Sequence, residues 1–109
     1  MAMALDAIRA VQNDIHGRID ALSHALPHCA IGNLADRIDE IRRLAHDNGF
    51  ATVECLASTL ASAVARGGRQ ATILCYLDAM SDANGLPPQV QQGAAQEALL
   101  ASVALRLQN

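Results

Sequence analysis

The chain has 109 residues, of which 51% are hydrophobic and 17% are charged, and its formal net charge is −3 at pH 7. This composition excludes an intrinsically disordered chain, and the length suits one domain with its own core. The eight basic residues are all arginines scattered among acidic neighbours. Because nucleic-acid binding depends on clustered cations, we expect no nucleic acid among the partners.

Alanine dominates the apolar residues, with 22 alanines against one Phe, one Tyr and no Trp. Alanine is the strongest helix former, so the composition predicts an all-α protein. The alanine excess and the lack of lysine indicate a high-GC bacterial source. The cysteines (Cys29, Cys55 and Cys75) are odd in number and widely spaced, and we see neither a signal peptide nor a long apolar run. We therefore expect a cytoplasmic protein with reduced thiols and no membrane span.

The hydrophobic periodicity predicts a single domain, 1–109, with five helices at about 3–26, 33–47, 51–66, 69–84 and 88–107. Short connections between the second, third and fourth helices make them antiparallel neighbours. The third helix has the broadest apolar arc, which is typical of a central helix. We therefore predict an antiparallel helical bundle.

Several residues are expected to end or cap these helices. Pro27 ends the first one because it lacks an N–H donor. Asn33 is a candidate N-cap of the second helix, with Asp36 in its first turn. Asn48-Gly49 supplies the left-handed residue that stops the second helix, and Gly67-Gly68 breaks the chain after the third.

The polar residues of the first two helices lie either in the core-facing stripe or on the outer surface. Gln12 interrupts the apolar stripe of the first helix, at a position that otherwise faces the core. Asp14 and Arg18 are four residues apart and predict an ion pair on the outer surface. Asp39 is placed to pair with arginines on the second helix, which predicts a solvated face there.

The last predicted helix changes character halfway along. Its first half is polar, whereas residues 98–107 are apolar except for Ser102 and Arg106. Such a surface at a chain end favours association. We therefore expect a homodimer, with the first helix or the end of the last at the interface.

Histidines offer the most suggestive side chains for a metal site. His16, Asp20, His24 and His28 are spaced at four-residue steps, and neighbouring members on one helix face suit a divalent metal. However, a proline breaks the helix before His28, and the other three fall outside the apolar stripe. We therefore interpret the series as a polar face and expect no metal and no cofactor.

The hairpin formed by the second and third helices resembles the histidine phosphotransfer domains of bacterial two-component signalling. Gly49 at the turn, Leu56 and Leu60 on the second helix and Gly67 after it follow the pattern of that family. The resemblance implies a helical bundle with an exposed, phosphorylatable histidine on the first helix of the hairpin. The family places it about ten residues before the turn glycine, where this chain has Asp39, so no phosphorylation site is carried over.

One further histidine lies near that turn: His46 precedes Gly49 by three residues. No other catalytic pattern is evident, because the hydroxyl residues and glycine pairs lack the strand and loop contexts that catalytic motifs require. We therefore do not expect an enzyme. An enzyme whose active site is assembled between subunits ranks third among the possible functions. The sequence favours a small protein-interaction or regulatory module that acts through an apolar helix surface. The alternative is a phosphotransfer-like signalling module, or a degenerate relative without the phosphorylated histidine.

Overall fold

A computed structural model describes residues 5–91 together with Ala101 and Leu105. The regular elements of this part are all helical: α1 Leu5–Ala25, α2 Ile31–Asp47, α3 Ala51–Ala65 and α4 Gln70–Asn84, with short 3₁₀ helices at Leu26–His28 and Pro88–Val90. The all-α prediction is confirmed for the described residues. None of the helices described there is both long and apolar enough to cross a bilayer.

The four helices pack around a shared core. α2 packs against α3, α3 against α4, and α1 lies against both α2 and α4. Among the described helices α3 buries the most residues, because its apolar arc meets a neighbour on each side. Its buried residues are Thr52, Val53, Leu56, Ala57, Leu60, Ala63 and Val64.

The core combines branched aliphatic side chains with alanines at close approaches. The single phenylalanine, Phe50, is fully buried just before α3. Ala45, Ala57, Ala79 and Ala83 are buried as well, and their small side chains let helix axes come close together. The largest aliphatic contributions from the other helices are Ile15 and Leu22 in α1, Ile38 and Ile41 in α2, and Leu77 and Met80 in α4.

The start of α2 differs from the prediction. The helix begins at Ile31, with Ala30 as N-cap residue and no side-chain cap. The Leu34 amide donates to the Ala30 carbonyl at 2.9 Å, so helical hydrogen bonding starts before Asn33. The prediction that Asn33 caps the helix is therefore wrong, and Asp36 lies beyond the first turn.

Left-handed glycines end both central helices, at the predicted turn of Asn48-Gly49 and at the predicted break of Gly67-Gly68. Gly49 and Gly67 both have φ of +79°. After α2, the Phe50 amide donates to the Ala45 carbonyl at 2.9 Å, and after α3 the Gly68 amide donates to the Ala63 carbonyl at 2.8 Å. Each bond spans five residues and satisfies a carbonyl that the helix leaves open.

The predicted fifth helix, 88–107, does not start as an α-helix. Pro88–Val90 form a 3₁₀ turn, after which Gln91 is buried. Ala101 and Leu105 are helical. The rest of that prediction, at 92–100, 102–104 and 106–107, lies outside the described residues.

Candidate functional site

The N-terminal part of α1 extends beyond the helices beside it. The Gln12 side-chain amide donates to the main-chain oxygen of Asn84, the last residue of α4, at 3.0 Å. Residues 5–11 therefore project about 10 Å past the end of α4. On the other side, Arg18 pairs with Glu40 at 3.0 Å, which places the end of α2 near the level of Val11. We call residues 5–11 the α1 overhang.

The α1 overhang carries apolar side chains that the bundle does not fully cover. Leu5 is 64% exposed, while Ile8 and Val11 are partly buried against the core. Leu5, Gln12 and Ile19 are spaced by seven residues and so lie on one face of the helix. That face meets α4 at Gln12 and Ile19, and only Leu5 is left without α4 beside it.

A groove between α1 and α4 continues the same face of α1 toward the other end of the bundle. Its volume is about 290 Å³. Leu74, which is 40% exposed, supplies its apolar surface, whereas Ile19 and Leu77 line it but are almost fully buried. We call it the α1–α4 groove; its polar residues are His16, Asp20, Ser23, Asp78 and Ser81.

Gln91 ties the chain after α4 to the end of the bundle that carries the overhang. Its side chain is 0% exposed. The side-chain amide donates to the carbonyls of Ala83 at 2.8 Å and Leu86 at 2.9 Å, and its oxygen accepts from the Val53 amide at 3.4 Å. The Thr52 hydroxyl donates to the Gln91 main-chain oxygen at 2.5 Å. One residue thus satisfies polar groups at the start of α3 and the end of α4.

Further apolar side chains are exposed near the C-terminal part of the chain. Val90, beside Gln91, is 43% exposed. Ala101 and Leu105 are both helical and exposed. Exposed apolar residues therefore occur on both the α1 overhang and the C-terminal segment.

The histidine series of α1 does not come together as a metal site. Among the described residues no group of three or more histidine, cysteine or acidic side chains is placed to hold a metal ion. His16 and His24 are exposed on α1, and His28 lies in the following 3₁₀ helix. Within the series, His24 Nδ1 is 2.8 Å from the main-chain oxygen of Asp20 and 3.7 Å from an Asp20 carboxylate oxygen.

His46 is paired across the α2–α3 turn. It lies in the last turn of α2, and its Nδ1 is 2.9 Å from the Glu54 carboxylate in the first turn of α3. A carboxylate only accepts hydrogen bonds, so Nδ1 carries the proton. In the neutral ring the lone pair then lies on Nε2, and the side chain is 66% exposed.

The outer face of α2 forms a network of ion pairs. Both Arg42 and Arg43 donate to Asp39, Arg42 at 2.9 Å and 3.0 Å and Arg43 at 2.8 Å through Nε. The hydrogen bonds from Arg42, and then those from Arg43, hold the pKa of Asp39 below its usual value. Asp14 and Arg18 form the predicted pair on α1 at 2.9 Å. This face is therefore solvated and paired.

Cys29, Cys55 and Cys75 are all free thiols and partly buried. Cys29 and Cys75 pack against the core cluster. The Cys29 sulfur lies 3.6 Å from the Ala30 carbonyl oxygen, which is a weak contact. Cys29 and Cys75 therefore serve as small apolar side chains in the packing.

Comparison with models of known families, with curated proteins and with solved structures gave no match. The site must therefore be interpreted from its own geometry. Sequence reasoning placed Leu5 and Gln12 on the core-facing stripe, but it missed the Gln12–Asn84 contact and the burial of Gln91. Both depend on residues that are far apart in the chain, and the local sequence pattern gave no signal for either contact.

Proposed function

We propose that this protein is a small interaction or regulatory module of the bacterial cytoplasm that acts through an apolar helix surface. The observation that carries the proposal is the α1 overhang, where Leu5 is 64% exposed on a helix face that elsewhere packs against α4. An amphipathic helix from a partner would cover this face as α4 covers the rest of it.

A second copy of the chain is the partner that the proposal names first. A two-fold dimer brings the same surface together twice, so two overhangs would cover each other. The exposed C-terminal residues Val90 and Leu105 add apolar surface to such an interface. Any further protein partner would use the same overhang and would compete with the second copy.

Light scattering at several protein concentrations tests the dimer. We expect a mass of about 23 kDa, twice the chain mass of 11.5 kDa. Leu5→Glu puts a charge on the overhang and should reduce the mass to that of one chain, because burying an unpaired carboxylate is costly. A wild-type protein that stays monomeric throughout the micromolar range would contradict the proposal.

Ala7→Glu is the matched control for that substitution. Ala7 is exposed and lies about 200° around α1 from Leu5, so the same charge is added in the same helical turn on another face. The control should keep the dimer mass. If both variants dissociate equally, charge alone and not the Leu5 face determines association.

One observation favours a second candidate function, the phosphotransfer-like module. His46 is exposed, and its contact with Glu54 leaves Nε2 as the free nitrogen. Its place in the last turn of α2 is less favourable, because the negative end of the helix dipole disfavours a phosphoryl group there. The module would then dock a signalling protein through its helices and accept phosphate on His46.

Incubation with a phosphodonor kinase tests this alternative. An acid-labile phosphoryl group that His46→Gln abolishes and His16→Gln leaves in place would support it, because both histidines are exposed but only His46 is paired with Glu54. No labelling of the wild type, or labelling that survives His46→Gln, would reject His46 as acceptor and leave the interaction module.

A further inference from the structure

We infer that two copies of this chain associate through an antiparallel pair of α1 overhangs, in which Arg9 of each copy forms an ion pair with Asp6 of the other. This inference rests on the proposed dimer and names the direction and the charged contacts of its interface. The residues that carry it all lie in the overhang, where Leu5, Asp6 and Arg9 are exposed.

The position of α4 determines the direction in which a second α1 can cover Leu5. α4 runs antiparallel to α1, since Asn84 at its end contacts Gln12, whereas Leu74 near its start lines the groove together with α1 residues between 16 and 23. A second helix that lay parallel to α1 over Leu5 would run from there into the space that α4 occupies. An antiparallel helix leads away from the bundle and continues the course of α4 along the same face of α1. The antiparallel direction is therefore the open one.

Pairing in this direction covers the apolar residues of both overhangs. Overhangs that overlap along their whole length, residues 5–11, place Ile8 of both copies at the level of the two-fold axis. Ile8 is only partly buried within its own chain and lies about 60° around α1 from Leu5. Leu5 of one copy therefore meets Ile8 and the aliphatic stem of Arg9 of the other. The contact is made twice, which removes both Leu5 side chains from water.

The charges of the overhang are complementary in the same arrangement. Arg9 and Asp6 lie about 40° and about 100° around α1 from Leu5 in the same rotational sense, so the two-fold axis brings them to the same side of the interface. Asp6 is then level with residue 10 of the second copy, about 1.5 Å along the helix from its Arg9. Neither residue forms an ion pair with a described residue of its own chain. Each Arg9 therefore gains Asp6 of the other copy as its partner, whereas a parallel pair would set like charges against each other.

The lack of lysine in the chain provides a selective test of this ion pair. Arg9→Lys keeps the positive charge and supplies a side-chain amine, which a carbodiimide joins to a carboxylate in contact with it. Equal amounts of unlabelled and ¹⁵N-labelled Arg9→Lys protein are mixed, equilibrated and then treated with the carbodiimide. We expect cross-linked peptides of mixed isotope composition that join residue 9 to Asp6, and adding Asp6→Asn should abolish them. Ala7→Lys is the matched control, because Ala7 is exposed about 200° around α1 from Leu5, and it should give no such cross-link.

Charge exchange measured by light scattering is an independent test. Asp6→Arg places like charges together at both contacts and should raise the concentration needed for dimerisation several-fold. Adding Arg9→Asp should restore the wild-type value, because both ion pairs are then reversed in sign but intact.

Three results would overturn the inference while the wild type remains a dimer. They are cross-links of residue 9 within one isotope species only, mixed cross-links to carboxylates other than Asp6, and an Asp6→Arg variant that dimerises like the wild type. In each case the proposed dimer would stand without the antiparallel pair of overhangs. A wild type that stays monomeric in light scattering would reject both.

Discussion

Gln12 and Asn84 bond to each other's main chain. Gln12 Nε2 donates to the Asn84 carbonyl at 3.0 Å, and Asn84 Nδ2 donates to the Gln12 carbonyl at 2.9 Å. The Asn84 carbonyl is at the end of α4 and lacks an intrahelical donor, so Gln12 caps that helix from α1. The pair fixes the register of α1 on α4, and with it the length of the overhang.

Loss of this cap should destabilise the fold. Gln12→Ala leaves the Asn84 carbonyl without its donor, and we expect the free energy of unfolding to fall by about 1 kcal/mol. Asn13→Ala is the control on the exposed side of the same helix and should be neutral or slightly stabilising. Urea denaturation of both variants measures the difference; an equal effect would contradict the capping role.

Gln91 should contribute more than Gln12 to the free energy of unfolding, because several polar groups hydrogen-bond to it. Gln91→Ala removes the side-chain partner of the Val53 amide and of the Leu86 carbonyl and opens a cavity, so we expect the free energy of unfolding to fall by about 2–4 kcal/mol. Gln89→Ala makes the same change at an exposed position two residues earlier and should cost under about 0.5 kcal/mol. Chemical denaturation distinguishes the two, and similar stabilities would show that Gln91 is dispensable.

Replacing glycine by alanine should change the stability of the protein in opposite directions at two positions. Gly17 lies inside α1 with open space around the position of a Cβ, so Gly17→Ala should stabilise the protein by about 1 kcal/mol. Gly67 has φ of +79°, so Gly67→Ala should destabilise it by about 1–2 kcal/mol. Thermal melts of the two variants should shift in opposite directions. A shift of the same sign would show that backbone conformation does not govern these positions.

The ion pairs of Asp39 predict a pH dependence in acid. Its pKa is lowered in the folded state by hydrogen bonds from Arg42 and Arg43, so the carboxylate stabilises the fold above its unfolded-state pKa. That contribution disappears as the pH falls through the lower folded-state pKa. Stability measured against pH should therefore show Asp39→Asn below the wild type at neutral pH and equal to it in strong acid.

Asp36→Asn is the matched control for that series. Asp36 lies on the same helix, is exposed and forms no ion pair with any described residue. Its variant should follow the wild type across the whole range. A pH-dependent difference as large as that of Asp39→Asn would attribute the effect to net charge and not to the arginine pairs.

Local patterns were enough to predict the helices of this fold. The limits of α3 and α4 lie within one residue of the predicted 51–66 and 69–84, since apolar periodicity and the glycines at their ends are contained in short windows. The same windows gave the wrong cap for α2: Asn33 is a favoured N-cap type, but the main chain at Ala30 is already extended and helical bonding starts there. The preference of Asn for the N-cap position was outweighed by the conformation of the main chain after Pro27, which starts the helix at Ala30.

Contacts between distant segments could not be predicted in this way. Gln12 stood out as a polar residue in an apolar stripe, but nothing near it identified Asn84, 72 residues away, as its partner. Gln91 lies in a polar stretch and gave no sign of burial, because its partners belong to α3 and α4. The overhang follows from such a contact, so the sequence could not locate the surface that we propose as the interface.

Hydrogen exchange of the overhang at increasing protein concentration is the most direct test of the central claim, that this surface is buried between copies. Arg9, Ala10 and Val11 carry the first amides of α1 that have an acceptor within the helix. In a monomer only Ile8 and Val11 pack against the core here, so these amides should exchange faster than those at the centre of α1. We predict that their protection rises with concentration in the wild type and in Ala7→Glu, but not in Leu5→Glu. Protection that is independent of concentration in all three proteins would contradict the account.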